Sequence, residues 1–236
     1  MQQLYPNRRP ATFDWPAAAW AIVPLKSPDT AKSRLADVLS PEQRRTLFFD
    51  LAQRALDALR AARGIERVVA ATASEEVAGF ARKLGAEVFL LRADQGTAAA
   101  CRDVARGLSP QTGCGLLMIA GDLPLISAEA VERLLHAAGR NSCAVLVPDR
   151  RGIGTNAMLC RPPGALAPCF GPNSFAAHLA LARAQQTPLR VHHCERLGLD
   201  LDVAEDLQFL RSLGAAGAPP ALAACAVPAG AAHGDA

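Results

Sequence analysis

The run Leu116-Leu117-Met118-Ile119-Ala120-Gly121-Asp122-Leu123-Pro124 decides how this chain must fold. Five apolar residues follow one another without polar alternation, the pattern of a strand buried on both faces. A glycine that allows close approach, a carboxylate and a proline that ends pairing stand at its carboxyl end. Such a strand needs helices above and below it, and the neighbouring sequence supplies them. Thr97 to Leu108 and Ser127 to Ala138 both read as helices, and Ala144-Val145-Leu146-Val147 as the next strand. Upstream, Trp20-Ala21-Ile22-Val23, Val68-Val69-Ala70-Ala71 and Val88-Phe89-Leu90-Leu91 are further buried strands. Between the first two, Ser40-Pro41-Glu42-Gln43 forms a capping box with proline at the first helical position. Leu47, Leu51, Ala55 and Leu59 then recur at helical spacing until Gly64. Ser74 opens the next helix and Gly85 stops it. This alternation predicts an α/β domain with a mostly parallel sheet covered on both sides. Beyond Pro148 the rhythm becomes irregular: strands near Ala157–Cys160, Leu189–His193 and Leu199–Asp202, a helix from Ser174, and a closing helix from Val203 to Leu213.

The 236 residues carry 25 Lys+Arg against 22 Asp+Glu, a net charge of +3, and half are hydrophobic. That balance argues against a nucleic-acid or membrane-surface protein, and the apolar content against bulk disorder. No run of about 18 strongly apolar residues is present to span a membrane. Residues 1–17 read as an arm, residues 18–213 as a single domain, and residues 214–236 as a low-complexity tail in which Ala, Gly and Pro make 18 of 23 positions. Arg8-Arg9 is followed by a stretch that Asp14 and Pro16 interrupt, so it reads as part of the arm rather than a twin-arginine leader. The seven cysteines are odd in number and never closer than nine residues, which predicts reduced thiols in a cytoplasm rather than disulfides or a zinc site.

Open α/β sheets bind ligands beyond the carboxyl ends of their strands, and four segments fall there. The loop Pro24–Arg34 carries Lys26, Lys32 and Arg34, a set suited to a polyphosphate, although it matches neither a P-loop nor G-x-G-x-x-G. Asp122 lies five residues before Ser127, too far to cap that helix, and reads as a ligand-facing carboxylate. In Leu199-Asp200-Leu201-Asp202 the two carboxylates share a face about 7 Å apart if the segment is a strand. A hard divalent ion such as Mg²⁺ would relieve their repulsion, and with Asp122 they would form a three-carboxylate site. Asp202 also reads as an N-cap for the following helix, with Asp200 then merely exposed, and the two roles are compatible. Finally, Gly152-Ile153-Gly154-Thr155-Asn156 resembles an anion nest, and Phe170-Gly171-Pro172-Asn173-Ser174 opens a helix whose amides attract phosphate or carboxylate. His192-His193 lack metal-ligand spacing, no activated Cys/His pair is visible, and eleven scattered aromatics offer no base-stacking platform.

Taken in order, Lys26, Ala31-Lys32-Ser33-Arg34-Leu35, Gly121-Asp122-Leu123-Pro124, Gly152-x-Gly154-Thr155-Asn156, Phe170–Ser174 and Asp200-x-Asp202 resemble the 2-phospho-L-lactate guanylyltransferase family, within the molybdenum-cofactor guanylyltransferase-like nucleotidyltransferases. The resemblance spans roughly residues 18–213. It implies a Rossmann-like three-layer α/β/α fold with a mostly parallel mixed sheet. It also implies transfer of GMP from GTP to a phosphorylated three-carbon acid in coenzyme F-420 biosynthesis, with release of pyrophosphate. The acid is 2-phospho-L-lactate, phosphoenolpyruvate or 3-phospho-D-glycerate. The same resemblance assigns one or two Mg²⁺ ions to Asp122, Asp200 and Asp202, and the acid to Thr155, Gly171 and Ser174. It aims Lys26, Lys32 and Arg34 at the GTP phosphates and places the nucleotide also at Gly96 and Thr97. Where relatives carry Leu-Asn, this chain has Gly96-Thr97. The family further implies a downstream transferase that takes up an unstable product. Two other readings stay open on the residues alone: a sugar-phosphate nucleotidyltransferase or metal-dependent glycosyltransferase, and a non-catalytic nucleotide-binding partner protein. The preferred acid, GTP against ATP and the oligomeric state are not encoded in these motifs.

Overall fold

The computed structural model describes residues 18–108, 114–139 and 143–213. The arm expected over residues 1–17 and the tail expected over residues 214–236 lie outside the described residues. Each apolar run becomes a strand of one seven-stranded sheet: β1 (Ala19–Pro24), β2 (Ile65–Thr72), β3 (Glu87–Leu90), β4 (Gly115–Ile119), β5 (Cys143–Pro148), β6 (Thr155–Arg161) and β7 (Leu189–Val191). Their spatial order is β3-β2-β1-β4-β6-β5-β7. Six of the strands run parallel; β6 alone is reversed, antiparallel to both β4 and β5. The chain progresses outward from β1 through β2 to β3, then returns to place β4 on the other side of β1. That change of direction is a topological switch point, where open α/β sheets leave a crevice beyond their carboxyl ends.

The helices are α1 (Pro41–Ala61), α2 (Glu75–Lys83), α3 (Thr97–Leu108), α4 (Ala128–Ala138), α5 (Ser174–Ala184), α6 (Glu195–Gly198) and α7 (Ala204–Ser212). The capping box forms as its sequence predicts: Ser40 Oγ accepts from Gln43 N and Gln43 Oε1 from Ser40 N. Strand alternation divides the core between two faces. Ala21, Val23, Leu117 and Ile119 pack with α1, α2 and α4, while Trp20, Ile22, Leu116 and Met118 pack with α3 and α5. These are the two outer layers of an α/β/α domain.

A third, smaller cluster bears directly on the site. Leu35, Leu39, Leu47, Leu51, Leu199, Leu201, Leu207 and Leu210 bury one another away from both main faces. They clamp the end of the β1 loop and the segment before α7 onto the start of α1. The sequence predicts a strand near Leu199–Asp202, and this expectation needs correction. The segment is extended at Leu199 but pairs with no strand; α6, which the sequence reading does not foresee, turns the chain immediately before it. Side-chain alternation survives without a ladder, because Leu199 and Leu201 are drawn into the leucine cluster and turn the intervening aspartates the other way. No helix among the described residues is long and apolar enough to cross a membrane.

Candidate active site

A cleft of about 700 Å³ opens at the switch point. Lys26, Lys32, Arg34, Thr97, Asp122, Thr155, Gly171, Ser174, Asp200 and Asp202 all line it, so the structure gathers nearly every residue singled out in the sequence. Gly96 is the exception: it borders a smaller annex of about 230 Å³ beside Lys26, Asp94 and Thr97.

On one wall stand the carboxylates. Asp122 follows β4, and Gly121 lets that turn press against the β1 loop, since a Cβ there would meet Leu25 Cδ2 at 2.5 Å. Asp122 O lies 3.4 Å from Leu201 N, which links this turn to the Asp200–Asp202 segment. Lys32, which the family resemblance aims at the GTP phosphates, lines the cleft and also meets the carboxylates. Lys32 adopts a left-handed backbone conformation (φ 58°), uncommon for a residue with a Cβ, and its ammonium turns onto the carboxylates. Its Nζ lies 2.5 Å from Asp122 Oδ2 and 3.4 Å from Asp202 Oδ1. Burial pulls this ammonium toward neutrality, but Asp122 and Asp202 outweigh that pull and hold its pKa above the ordinary lysine value. Arg34 stays exposed, 3.8 Å from Asp202, and Lys26 is exposed as well.

Asp200 sits deeper. Burial, reinforced by the charges of Asp122 and Asp202, pushes its carboxyl up to about 7. Asn156, buried on β6, fixes it: Nδ2 donates to Leu197 O at 3.0 Å and to Asp200 Oδ1 at 3.5 Å. Burial is the first cause of that rise and the two neighbouring carboxylates the second; the three side chains offer the hard oxygen donors Mg²⁺ prefers. Among the described residues no three His, Cys, Asp or Glu side chains are gathered into a ready metal cage. Lys32 Nζ holds Asp122 and Asp202 together instead.

Asp202 does not cap α7, as one reading of the sequence has it. The cap comes from inside the helix, where Asp206 Oδ2 accepts from both Asp202 N and Val203 N at 3.0 Å. Its other oxygen accepts from Arg151 at 2.8 Å and Arg150 at 3.3 Å. Burial raises the Asp206 pKa, but these hydrogen bonds and the Arg151 charge more than reverse that and leave it below the usual carboxylate range.

The opposite wall begins with the glycine turn, read from sequence as an anion nest. Its amides are partly engaged by the chain's own anion: Asp149 Oδ1 accepts from Ile153 N at 2.8 Å. A Cβ on Gly154 would approach Asp149 Oδ2 to 3.0 Å, so this glycine provides room for that carboxylate. Thr155, next in sequence, reaches the cleft. Beyond it, Gly171 leads into α5, whose N-cap residue Asn173 makes no side-chain cap hydrogen bond. The positive end of that helix dipole therefore faces the cleft beside Ser174 without a side-chain cap. His178 lies beneath this wall. Sequence reasoning gives no role to Asn156, quoted within the glycine turn, nor to Asp149, His178 and Asp206. Asn156 and His178 act through partners brought near only by folding, whereas Asp149 and Asp206 also serve backbone N–H groups within four residues.

An α/β/α domain with carboxylates and cations gathered on one wall of its switch-point crevice has the architecture of a nucleotidyltransferase. The same fold occurs in a solved nucleotidyl transferase from Methanothermobacter thermautotrophicus, with a TM-score of 0.60 and 15% identity over 83% of this chain and 97% of that one. Residues 19–215 match the model of the family described as guanylyl transferase CofC like, and the chain belongs to that family. The phosphoenolpyruvate guanylyltransferase of Rubrobacter xylanophilus is 41% identical over 84% of this chain and 95% of its own length. That of Sphaerobacter thermophilus is 40% identical over 80% of this chain and 91% of its own. The protein is thus an enzyme of guanylyl transfer, with GTP as substrate.

Proposed function

We propose that this enzyme joins GMP from GTP to phosphoenolpyruvate in the cytoplasm, as a step of coenzyme F-420 biosynthesis. The choice of acid follows the names of the two relatives near 40% identity; 2-phospho-L-lactate and 3-phospho-D-glycerate are the competing acids within the same family. The observation that carries the reading is the cleft itself, with three aspartates on one wall and a threonine and an uncapped helix start on the other.

The chemistry asks little of the protein beyond charge and position. A phosphomonoester has its second pKa near 6, so the acid's phosphate is already an anionic nucleophile at neutral pH and no general base is needed. One of its oxygens bonds to the α-phosphorus of GTP. The bond from that phosphorus to the oxygen bridging the β-phosphate breaks, and pyrophosphate leaves with the electron pair. The barrier lies in bringing two polyanions together. Lys26 and Arg34 offset charge on the nucleotide side, while Thr155, Ser174 and the start of α5 receive the acid. Asp122, Asp200 and Asp202 would hold Mg²⁺, which when bound supplies charge neutralisation at the phosphates. Gly96 and Thr97 border the annex proposed to receive the nucleoside end of GTP.

The test is a competition. Purified protein is incubated with GTP, Mg²⁺ and the three acids at equal concentration, pyrophosphate is measured, and the products are weighed by mass spectrometry. Guanylylated phosphoenolpyruvate should dominate, and Asp122→Ala should lower kcat by at least about 100-fold. Pyrophosphate release with a sugar phosphate but with none of the acids would refute the reading.

A further inference from the structure

His178 is fully buried on α5, outside every motif that marks the site, yet it touches a residue of the acid wall. Its Nδ1 lies 3.1 Å from Thr155 Oγ1, and its Nε2 accepts the backbone N–H of Cys169 at 2.8 Å. The second contact settles the direction of the first. A backbone N–H can only donate, so Nε2 must carry the lone pair. A neutral imidazole then has its proton on Nδ1, which donates to Thr155 Oγ1. Thr155 therefore cannot return its own proton to His178. Its hydroxyl hydrogen is left to point elsewhere, and Thr155 lines the cleft.

We propose that His178 is a positioning residue for the phosphorylated acid: by holding the Nδ1–H tautomer against Thr155 Oγ1, it fixes that hydroxyl as a hydrogen-bond donor into the cleft. This rests on the proposed reading that Thr155 receives the acid. A phosphate or carboxylate oxygen can only accept, so a hydroxyl serves it by donating; with Nδ1–H on one lone pair and its proton barred from His178, this hydroxyl has its proton free for the anion. Phe170 packs edge-on against the imidazole, with centroids 5.3 Å apart at 75°, and helps close the relay from water. Burial also holds the His178 pKa below the ordinary histidine value, which keeps the ring in the neutral form the relay needs. The same side chain joins three pieces of the acid wall: Cys169 ahead of Gly171, Thr155 on β6, and α5 itself.

Two amide side chains separate the halves of this device. The Asn amide nitrogen overlays Nδ1, so His178→Asn keeps a donor to Thr155 and loses the acceptor for Cys169. The Gln amide group overlays Nε2, so His178→Gln keeps the acceptor and loses the donor. Steady-state kinetics with phosphoenolpyruvate and GTP are measured for both, for Thr155→Val, and for Thr155→Val/His178→Gln. His178→Gln should raise KM for phosphoenolpyruvate about 10-fold with KM for GTP within about twofold, as expected for one lost hydrogen bond to a charged group. His178→Asn should stay within about threefold of wild type, and His178→Gln should add nothing on the Thr155→Val background. Equal losses in the Asn and Gln variants, a matching rise in KM for GTP, or multiplying effects in the double variant would overturn the proposal and leave His178 a structural residue. Long-range ¹H–¹⁵N NMR of the wild-type protein tests it without turnover. A protonated Nδ1 with a bare Nε2 is expected, and an Nε2–H tautomer or an imidazolium at neutral pH would overturn it. If no acid supports turnover, the substrate reading fails, and the tautomer measurement still decides the role of His178.

Discussion

Asp206→Asn strikes a part of the structure that no catalytic motif marks. The carboxylate is 1% exposed and accepts four hydrogen bonds, two from backbone N–H groups and two from guanidiniums. An amide has one accepting oxygen, so whichever pair it serves, its NH₂ group confronts donors on the other side. Two charge-assisted hydrogen bonds lost at about 1.5–3 kcal/mol each give about 3–6 kcal/mol, which the cost of breaking a buried ion pair narrows to about 3–5 kcal/mol. For a domain of this size each kcal/mol moves Tm by about 2–4 °C, so a fall of about 6–20 °C is expected at pH 7. The pH dependence has a definite sign. Because the folded-state pKa of Asp206 is depressed, its stabilisation is complete above the unfolded-state value of about 3.9 and is lost as pH falls through the folded value. The gap between variant and wild type, read as urea midpoints, should be constant from pH 8 to pH 5 and close below about pH 4. A variant melting within 2 °C of wild type at pH 7, or a gap that persists unchanged at pH 3, would refute the reasoning.

Leu201→Ala removes a fully buried side chain from the satellite leucine cluster, at about 2–5 kcal/mol in a urea melt, and should lower kcat by releasing the aspartates on either side. Unchanged kcat would show that the cluster does not position them. Ser40→Ala breaks the capping box at about 1 kcal/mol, lowering Tm by about 2–4 °C with kcat unaltered, since α1 begins away from the chemistry.

The strands were legible because double-sided burial leaves a one-dimensional trace: Trp20–Val23 and Leu116–Ile119 carry no polar residue, and their shortness between Gly and Pro breakers reads as strand rather than buried helix. The α1 start was legible because Ser40 and Gln43 satisfy each other within three residues. The direction of β6 was not, since Thr155–Arg161 is equally apolar whichever way it runs. The gathering of Asp122, Asp200 and Asp202 in one cleft could be anticipated from strand ends and a two-residue period, although the segment holding the latter pair turned out to be unpaired. What held it was leucine burial, which has the same period as a strand. The orientation of Lys32 depended on a left-handed backbone that no residue type announces. Asn156 and His178 look like ordinary interior polar residues until their partners, 44 and 23 positions away, arrive.

The reversal of β6 fixes how this wall can change. Its first residue, not its last, meets the crevice, and Asn156 O is bonded to Ala120 N at 2.8 Å beside the end of β4. A slip of one position would exchange the faces of Thr155 and Asn156. The hydroxyl would leave His178, and the amide would leave Asp200. Insertions or deletions between Pro148 and Thr155 should thus be tolerated only when the turn absorbs them whole, making its length a stricter signature of this enzyme than the identity of the residues within it.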